Sequence, residues 1–207
     1  MTRRYVTWAG EDDPDRLDTA VLSLGADRFE CLGTSRSATW VTAWSLTTGP
    51  QWVTRRLEVT ARGQGWSRDL LLERSGSGEW TARVSHTGAA PVDLATPGIE
   101  DPSALAGALD CDLALCPVTN SMPILRLGLL GERAPVEPTP LTMAWVVVPS
   151  LRVLRSDQVY APGAPYDPGA GRAVVTYTSA TRDVTADLTV DADGLVIDYP
   201  HLARRVR

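Results

Sequence analysis

Several residue types are scarce in this chain of 207 residues, and each scarcity excludes a class of protein. Lysine is absent, so all 20 basic residues are arginines, and 25 acidic residues bring the net charge to −5. Because nucleic-acid binding depends on a basic surface that releases counterions, this balance argues against a nucleic-acid partner. No apolar run approaches the roughly 18 residues of a membrane-spanning helix, so no membrane span is expected. Three cysteines, an odd number, form no disulfide framework and fit a reducing compartment.

The familiar catalytic and metal-binding patterns are also missing. The two histidines, His86 and His201, have no G-x-S-x-G motif near them, which argues against a Ser–His–Asp triad. On one strand, Cys111 and Cys116 would face opposite sides about 17 Å apart, too far to bind one metal ion. We therefore expect neither a metal nor a cofactor. The basic N-terminus is not followed by the apolar segment of a signal peptide, so a cytoplasmic location is expected.

Period-two alternation between turn residues predicts an all-β, mainly antiparallel fold. Hairpins are predicted around turns at 48–50, 75–78 and 149–150, and a three-stranded meander over 172–199. We expect about ten strands in a single curved sheet, a half-barrel or open barrel, with one or two short helices. No repeat or linker divides the chain, which predicts one domain over 1–207.

Two further patterns refine this fold. Short helical turns are predicted after Asp101, where Pro102 suits the first position, and over residues 123–127. The strand over residues 141–148 is apolar on both faces. Such a strand needs cover on both sides, which predicts a strongly curved sheet wrapped around a plug.

A polar group interrupts the apolar pattern near the middle of the chain. Asp112 alternates with apolar residues, and Asn120, the sole asparagine, lies in a T-N-S run between two prolines. Its amide suits either sugar hydroxyls or bracing of the loop. Arg126, and Arg55 in the apolar row of residues 53–59, are both candidates to pair with Asp112. A buried arginine needs such a partner or an anionic ligand, so structural ion pairing and headgroup binding both stay open.

Tryptophan is comparatively frequent. Six of the seven fall on predicted strands, namely Trp40, Trp44, Trp52, Trp66, Trp80 and Trp145. Core packing and cross-strand pairing account for most of them. One or two rings remain available to line a pocket for sugars or acyl chains.

Four segments, taken together, carry a resemblance to a known family. They are Q-W-V-T-R-R at 51–56, the D-C-D-L run that continues to P-V-T-N-S-M-P-I-L-R-L, the V-V-V-P-S-L pair of strands reaching Tyr160, and the closing G-L-V-I-D-Y-P. From about Trp8 to Arg205 the chain resembles the bacterial family named "putative glycolipid-binding". The resemblance implies a curved antiparallel half-barrel similar to lipoprotein and lipid carriers.

The resemblance also implies a set of ligand-binding residues. They are Trp52, Arg55, Asp112, Thr119, Asn120, Arg126, Tyr160 and Tyr199. The chain departs from the family at Val118, where members usually carry an aromatic residue, and at Leu125, near a position that is usually more polar. Both differences make this version of the site more apolar.

We therefore expect non-enzymatic binding of a lipid or glycolipid-like ligand on the concave face of the sheet. One alternative is an enzyme that acts on a lipid or sugar, with Asp112 as general acid or base. Another is a protein-interaction module that pairs along an open sheet edge, its barrel filled by its own side chains. The oligomeric state is not predicted.

Overall fold

A computed structural model describes residues 1–131 and 134–206, and within them fifteen strands form one sheet. The strands are β1 Thr2–Gly10, β2 Leu17–Leu24, β3 Phe29–Arg36, β4 Trp40–Thr48, β5 Thr54–Gly63, β6 Trp66–Arg74, β7 Trp80–Gly88, β8 Gly98–Ile99, β9 Asp110–Leu113, β10 Thr139–Val147, β11 Arg152–Pro162, β12 Ala173–Ser179, β13 Val184–Val190, β14 Val196–Tyr199 and β15 Ala203–Arg205. The α-helix α1 spans Ser121–Arg126, and 3₁₀ turns cover Pro50–Trp52, Pro102–Leu105 and Pro117–Asn120. None of the helices in the described ranges has the length and apolarity needed to span a membrane.

The sheet is curved and does not close into a barrel. Its order is β7-β6-β5-β4-β3-β2-β1-β15-β14-β13-β12-β11-β10-β9, so the two ends of the chain meet in the middle, where β1 pairs with β15. The pairing is antiparallel except that β9 joins β10, and β8 joins β11, in parallel. The predicted hairpins and C-terminal meander are confirmed. The strand β2 was not predicted, because its buried positions are Asp18, Ala20 and Leu22 and give little apolar contrast.

The interior of the curve is occupied by the segment that connects β8 with β10. This central segment, residues 100–130, contains β9, α1 and two of the 3₁₀ turns. Its residues Leu113, Val118 and Met122 pack into one apolar cluster with the N-terminal strands, and Ile124 packs into a second cluster with the C-terminal strands. The strand β10 lies between the clusters: Met143 packs into the second cluster, and Ala144 and Val146 on its other face pack into the first. The plug predicted from this two-faced strand is confirmed.

A β-bulge changes the alternation of β5. Thr47 pairs with Arg56 and Thr48 pairs with Thr54, which leaves Arg55 as an additional residue on the bulged strand. Thr54 is buried and Arg55 is exposed. The prediction that Arg55 lies in the apolar row is wrong, because the bulge shifts the inward phase by one residue.

Candidate functional site

One inward face of β9 to β12 carries polar side chains in an otherwise apolar interior. Strand register places Asp112 beside Trp145 and Gln158 opposite Ser179, on the same face of the sheet. The central segment and the β12–β13 turn contribute further polar groups. We call this group the polar cluster: it comprises Asp112, Thr119, Asn120, Trp145, Gln158, Tyr160, Tyr177 and Arg182.

The Asp112 carboxylate is the centre of the polar cluster. Its Oδ2 accepts hydrogen bonds from Gln158 Nε2 at 2.7 Å and from Arg182 Nη2 at 3.1 Å. Its Oδ1 accepts from Thr119 Oγ1 at 3.1 Å. Strand β9 therefore supplies the charge, and three separate elements hold it in place.

Arg182 covers the cluster from the turn between β12 and β13. Its guanidinium carbon lies 5.3 Å from the centroid of the Trp145 ring, and Nη2 also donates to the Tyr177 hydroxyl. The side chains of Arg182 and Asp112 are 25% and 15% exposed, so the ion pair forms the solvent-facing end of the cluster. Trp145 Nε1 is buried and has no acceptor among the described residues.

The two tyrosines of the cluster, together with Tyr199 beside them, form its interior wall. The Tyr160 hydroxyl donates to Asn120 Oδ1 at 2.9 Å. The rings of Tyr160 and Tyr177 pack edge to face at 5.2 Å, and those of Tyr177 and Tyr199 at 5.8 Å. Burial raises the pKa of Tyr177 to about 12 and also raises the pKa of Tyr160 and of Tyr199. All three hydroxyls are therefore protonated, neutral hydrogen-bond donors near pH 7.

The structure brings most of the predicted site residues together. Hydrogen bonds link four of them: Thr119 donates to Asp112, Gln158 bonds to both Asp112 and Tyr160, and Tyr160 donates to Asn120 in the 3₁₀ turn. A fifth, Tyr199, packs against the ring of Tyr177.

Two predicted residues lie elsewhere. Trp52 is half-buried in the Pro50–Trp52 turn rather than on a strand, and it packs against the first apolar cluster. Arg55 is exposed in β5 beside Gly49. The predicted pairing of Arg55 with Asp112 is therefore wrong.

Arg126 binds a carboxylate, but not the predicted one. Both of its terminal nitrogens donate to Asp110, with Nη1 at 2.7 Å from Oδ1. Burial raises the pKa of Asp110, and the hydrogen bonds and charge of Arg126 oppose this shift. The pair ties the end of α1 to β9 and braces the central segment beneath the polar cluster.

The partners of Asp112 were missed for different reasons. Gln158 follows Ser156 and precedes Tyr160 in period two, so a polar inward row on β11 was readable from the sequence. Arg182 lies in a T-R-D turn, which has the composition of a solvated loop. Nothing in the sequence indicates that this turn folds back over Trp145.

The cysteines are not placed for chemistry. Cys31, Cys111 and Cys116 are free and buried, and burial raises the pKa of Cys111 to about 12. The chain leaves the strand geometry after Leu113, with a φ of 66° at Leu115, so Cys111 and Cys116 enter the same apolar cluster. Across the described residues, no group of three or more His, Cys, Asp or Glu side chains is arranged to hold a metal ion.

Comparisons with known proteins extend over nearly the whole chain. The sequence model of the family described as "Putative glycolipid-binding" matches residues 5–205. The fold is similar to the crystal structure of a DUF1089 family protein from Pseudomonas aeruginosa, with a TM-score of 0.64 and 25% identity over 91% of this chain and 92% of that chain. None of the curated proteins compared with the chain matches it.

Proposed function

The chain belongs to the family described as "Putative glycolipid-binding", and from this premise we propose that it binds the polar head of a glycolipid-like amphiphile at the polar cluster. Binding is proposed to be non-enzymatic. The free, buried cysteines suit a reducing compartment, and we propose the cytoplasm as the location.

The observation that carries the proposal is the indole nitrogen of Trp145, which has no hydrogen-bond acceptor among the residues that the structure describes. Buried polar atoms are almost always hydrogen-bonded. A ligand oxygen that accepts from a buried donor without a partner therefore adds a hydrogen bond and removes the cost of leaving that donor unsatisfied. This donor belongs to the side chain beside Asp112, and Arg182 stacks on its ring. A head that displaces Arg182 from Trp145 would find an indole face, a carboxylate acceptor and several neutral donors together.

The chemistry of the cluster favours a neutral, hydroxyl-bearing head. Asp112 and Arg182 cancel in charge, and the tyrosine hydroxyls are protonated. Hydroxyl groups donate to a carboxylate and accept from an indole N–H or a guanidinium, so a sugar satisfies both partners. The central segment fills the concave face, so the proposal concerns recognition of the head rather than of a long acyl chain.

The proposal is tested by titrating the full chain with octyl glucoside, below its critical micelle concentration, by isothermal titration calorimetry. Trp145→Phe removes the N–H and keeps an aromatic ring, and Arg182→Gln removes the charge over that ring. We expect each variant to weaken binding by about tenfold, because Trp145→Phe loses the indole hydrogen bond to the head and Arg182→Gln loses the hydrogen bond that the displaced guanidinium donates to it.

Arg205→Gln is the matched control, because Arg205 also forms a half-buried ion pair, with Asp191 at 2.7 Å, and lies 6.0 Å from the Trp8 ring centroid. Equal loss in Arg205→Gln and Arg182→Gln would mean that the effect is a general loss of stability. Hydrolysis of a glucoside by the wild type, abolished in Asp112→Asn, would replace passive binding with the enzymatic alternative.

A further inference from the structure

The outer face of β2 to β5 carries a cleft of about 340 Å³ that is separate from the polar cluster. Four of its lining residues lie opposite one another in the sheet, one on each of four adjacent strands: Leu17, Arg36, Val41 and Arg62. Adjacent strands are about 4.8 Å apart, so the two arginines flank Val41 at similar distances. We call this feature the arginine cleft.

The charge of the arginine cleft is uncompensated. No acidic side chain is among its lining residues, although the chain as a whole has a net charge of −5. Asp69 accepts a hydrogen bond from Thr60 at one border of the cleft, but the salt bridges formed among the described residues include neither Arg36 nor Arg62. The local excess of positive charge favours an anion.

The adjoining cleft provides a contrast on the same face. It has a volume of about 640 Å³ and shares Thr34, Ala43 and Thr60 with the arginine cleft. Its arginines are neutralised: Arg56 pairs with Glu58, and both Arg56 and Arg83 contact Glu73. An anion is therefore favoured at one end of the combined groove only.

The groove between the two clefts is suited to an apolar chain. Val41 at one end and Leu32 at the other are 49% and 59% exposed, which is high for large apolar side chains. Between them the floor consists of the small residues Thr34, Ala43 and Thr60. From residue 41 to residue 45 the strand β4 advances about 13 Å, enough for a short alkyl chain.

We propose that the arginine cleft binds a single-chain amphiphile with an anionic head. Arg36 and Arg62 hold the head, because guanidinium groups form strong charge-assisted hydrogen bonds with carboxylate and phosphate oxygens. The alkyl chain runs over Ala43 toward Leu32. This site is independent of the polar cluster, since its side chains point away from the interior of the sheet.

Calorimetric titration of the full chain with dodecanoate, below its critical micelle concentration, tests the proposal. We expect one dodecanoate per chain, binding at least tenfold weaker to the double variant Arg36→Gln/Arg62→Gln, and weaker for the wild type as salt is raised. Val41→Asn is expected to weaken binding as well, because it removes apolar contact without altering charge. Arg152→Gln is the control, because Arg152 is a partly exposed arginine on β11 that pairs with Glu100 and lines neither cleft, and it is expected to bind as the wild type does.

Three results would overturn the proposal. Equal affinity for dodecyl maltoside would show that the anionic head is not recognised. Inorganic phosphate that binds as tightly as dodecanoate would show a simple anion site without a role for the chain. Wild-type affinity in Arg36→Gln/Arg62→Gln, with folding verified by circular dichroism, would place the ligand elsewhere.

Discussion

Replacing Arg126 with methionine is predicted to destabilise the fold rather than to act on a ligand. The side chains of Arg126 and Asp110 are 10% and 1% exposed, and the two groups meet in a bidentate pair. Methionine preserves much of the apolar stem and removes only the charge and the donors. The Asp110 carboxylate then remains buried on β9, beside β10, without its partner.

The size of the effect follows from the two states available to the lone carboxyl. Leaving one member of a buried ion pair unpartnered costs about 3–5 kcal/mol. Protonating the group instead costs about 4.4 kcal/mol at pH 7, from an ordinary pKa of 3.8 and about 1.36 kcal/mol per pH unit. We therefore expect a loss of about 3–4 kcal/mol at pH 7. At pH 5 protonating the lone carboxyl costs only about 1.6 kcal/mol, so the loss of stability is expected to be no larger than that.

Urea unfolding followed by tryptophan fluorescence at pH 7 and pH 5 measures both values. Arg182→Met is the matched control, because its ion pair is more exposed and is expected to contribute about 1 kcal/mol or less. The double variant Arg126→Met/Asp110→Asn is expected to recover most of the loss, since no buried charge remains. A loss below about 1 kcal/mol at pH 7, or an equal loss at both pH values, would refute the reasoning.

Two further predictions concern the tyrosines and a glycine. Burial raises the pKa of Tyr177 from 10.0 to about 12, so the stability that its neutral hydroxyl contributes is complete below pH 10 and falls by about 2.7 kcal/mol as the pH rises toward 12. Unfolding titrations of the wild type and of Tyr177→Phe at alkaline pH measure this fall in the free energy of unfolding. The same pH dependence in both proteins would contradict the prediction. Gly33→Ala is expected to lower the free energy of unfolding by about 1–3 kcal/mol or more, because the added methyl group would overlap the Thr19 carbonyl oxygen and the Trp44 ring. Gly76→Ala has no neighbour within 4 Å and serves as the control, so equal melting temperatures for the two variants would count against the argument.

The failures of sequence reasoning in this protein have specific physical causes. Regular alternation in β5 predicts an inward Arg55, and a single bulged residue reverses it. The D-C-D-L run places two carboxylates on one face, but local spacing does not say which one Arg126 reaches across the fold. Arg182 is distant from Asp112 in sequence and meets it only because β9, β10, β11 and β12 are neighbours in the sheet.

The amino-acid sequence by itself determined the all-β class, most hairpins, the plug and the polar group around Asp112 and Asn120. These features depend on local period, turn residues and composition, which act over a few residues. Only the tertiary structure decided that α1 is braced through Asp110, that Arg182 covers Trp145, and that Arg36 and Arg62 share an outer cleft. Each of these depends on contacts between residues far apart in the chain, which the register and curvature of the sheet bring together.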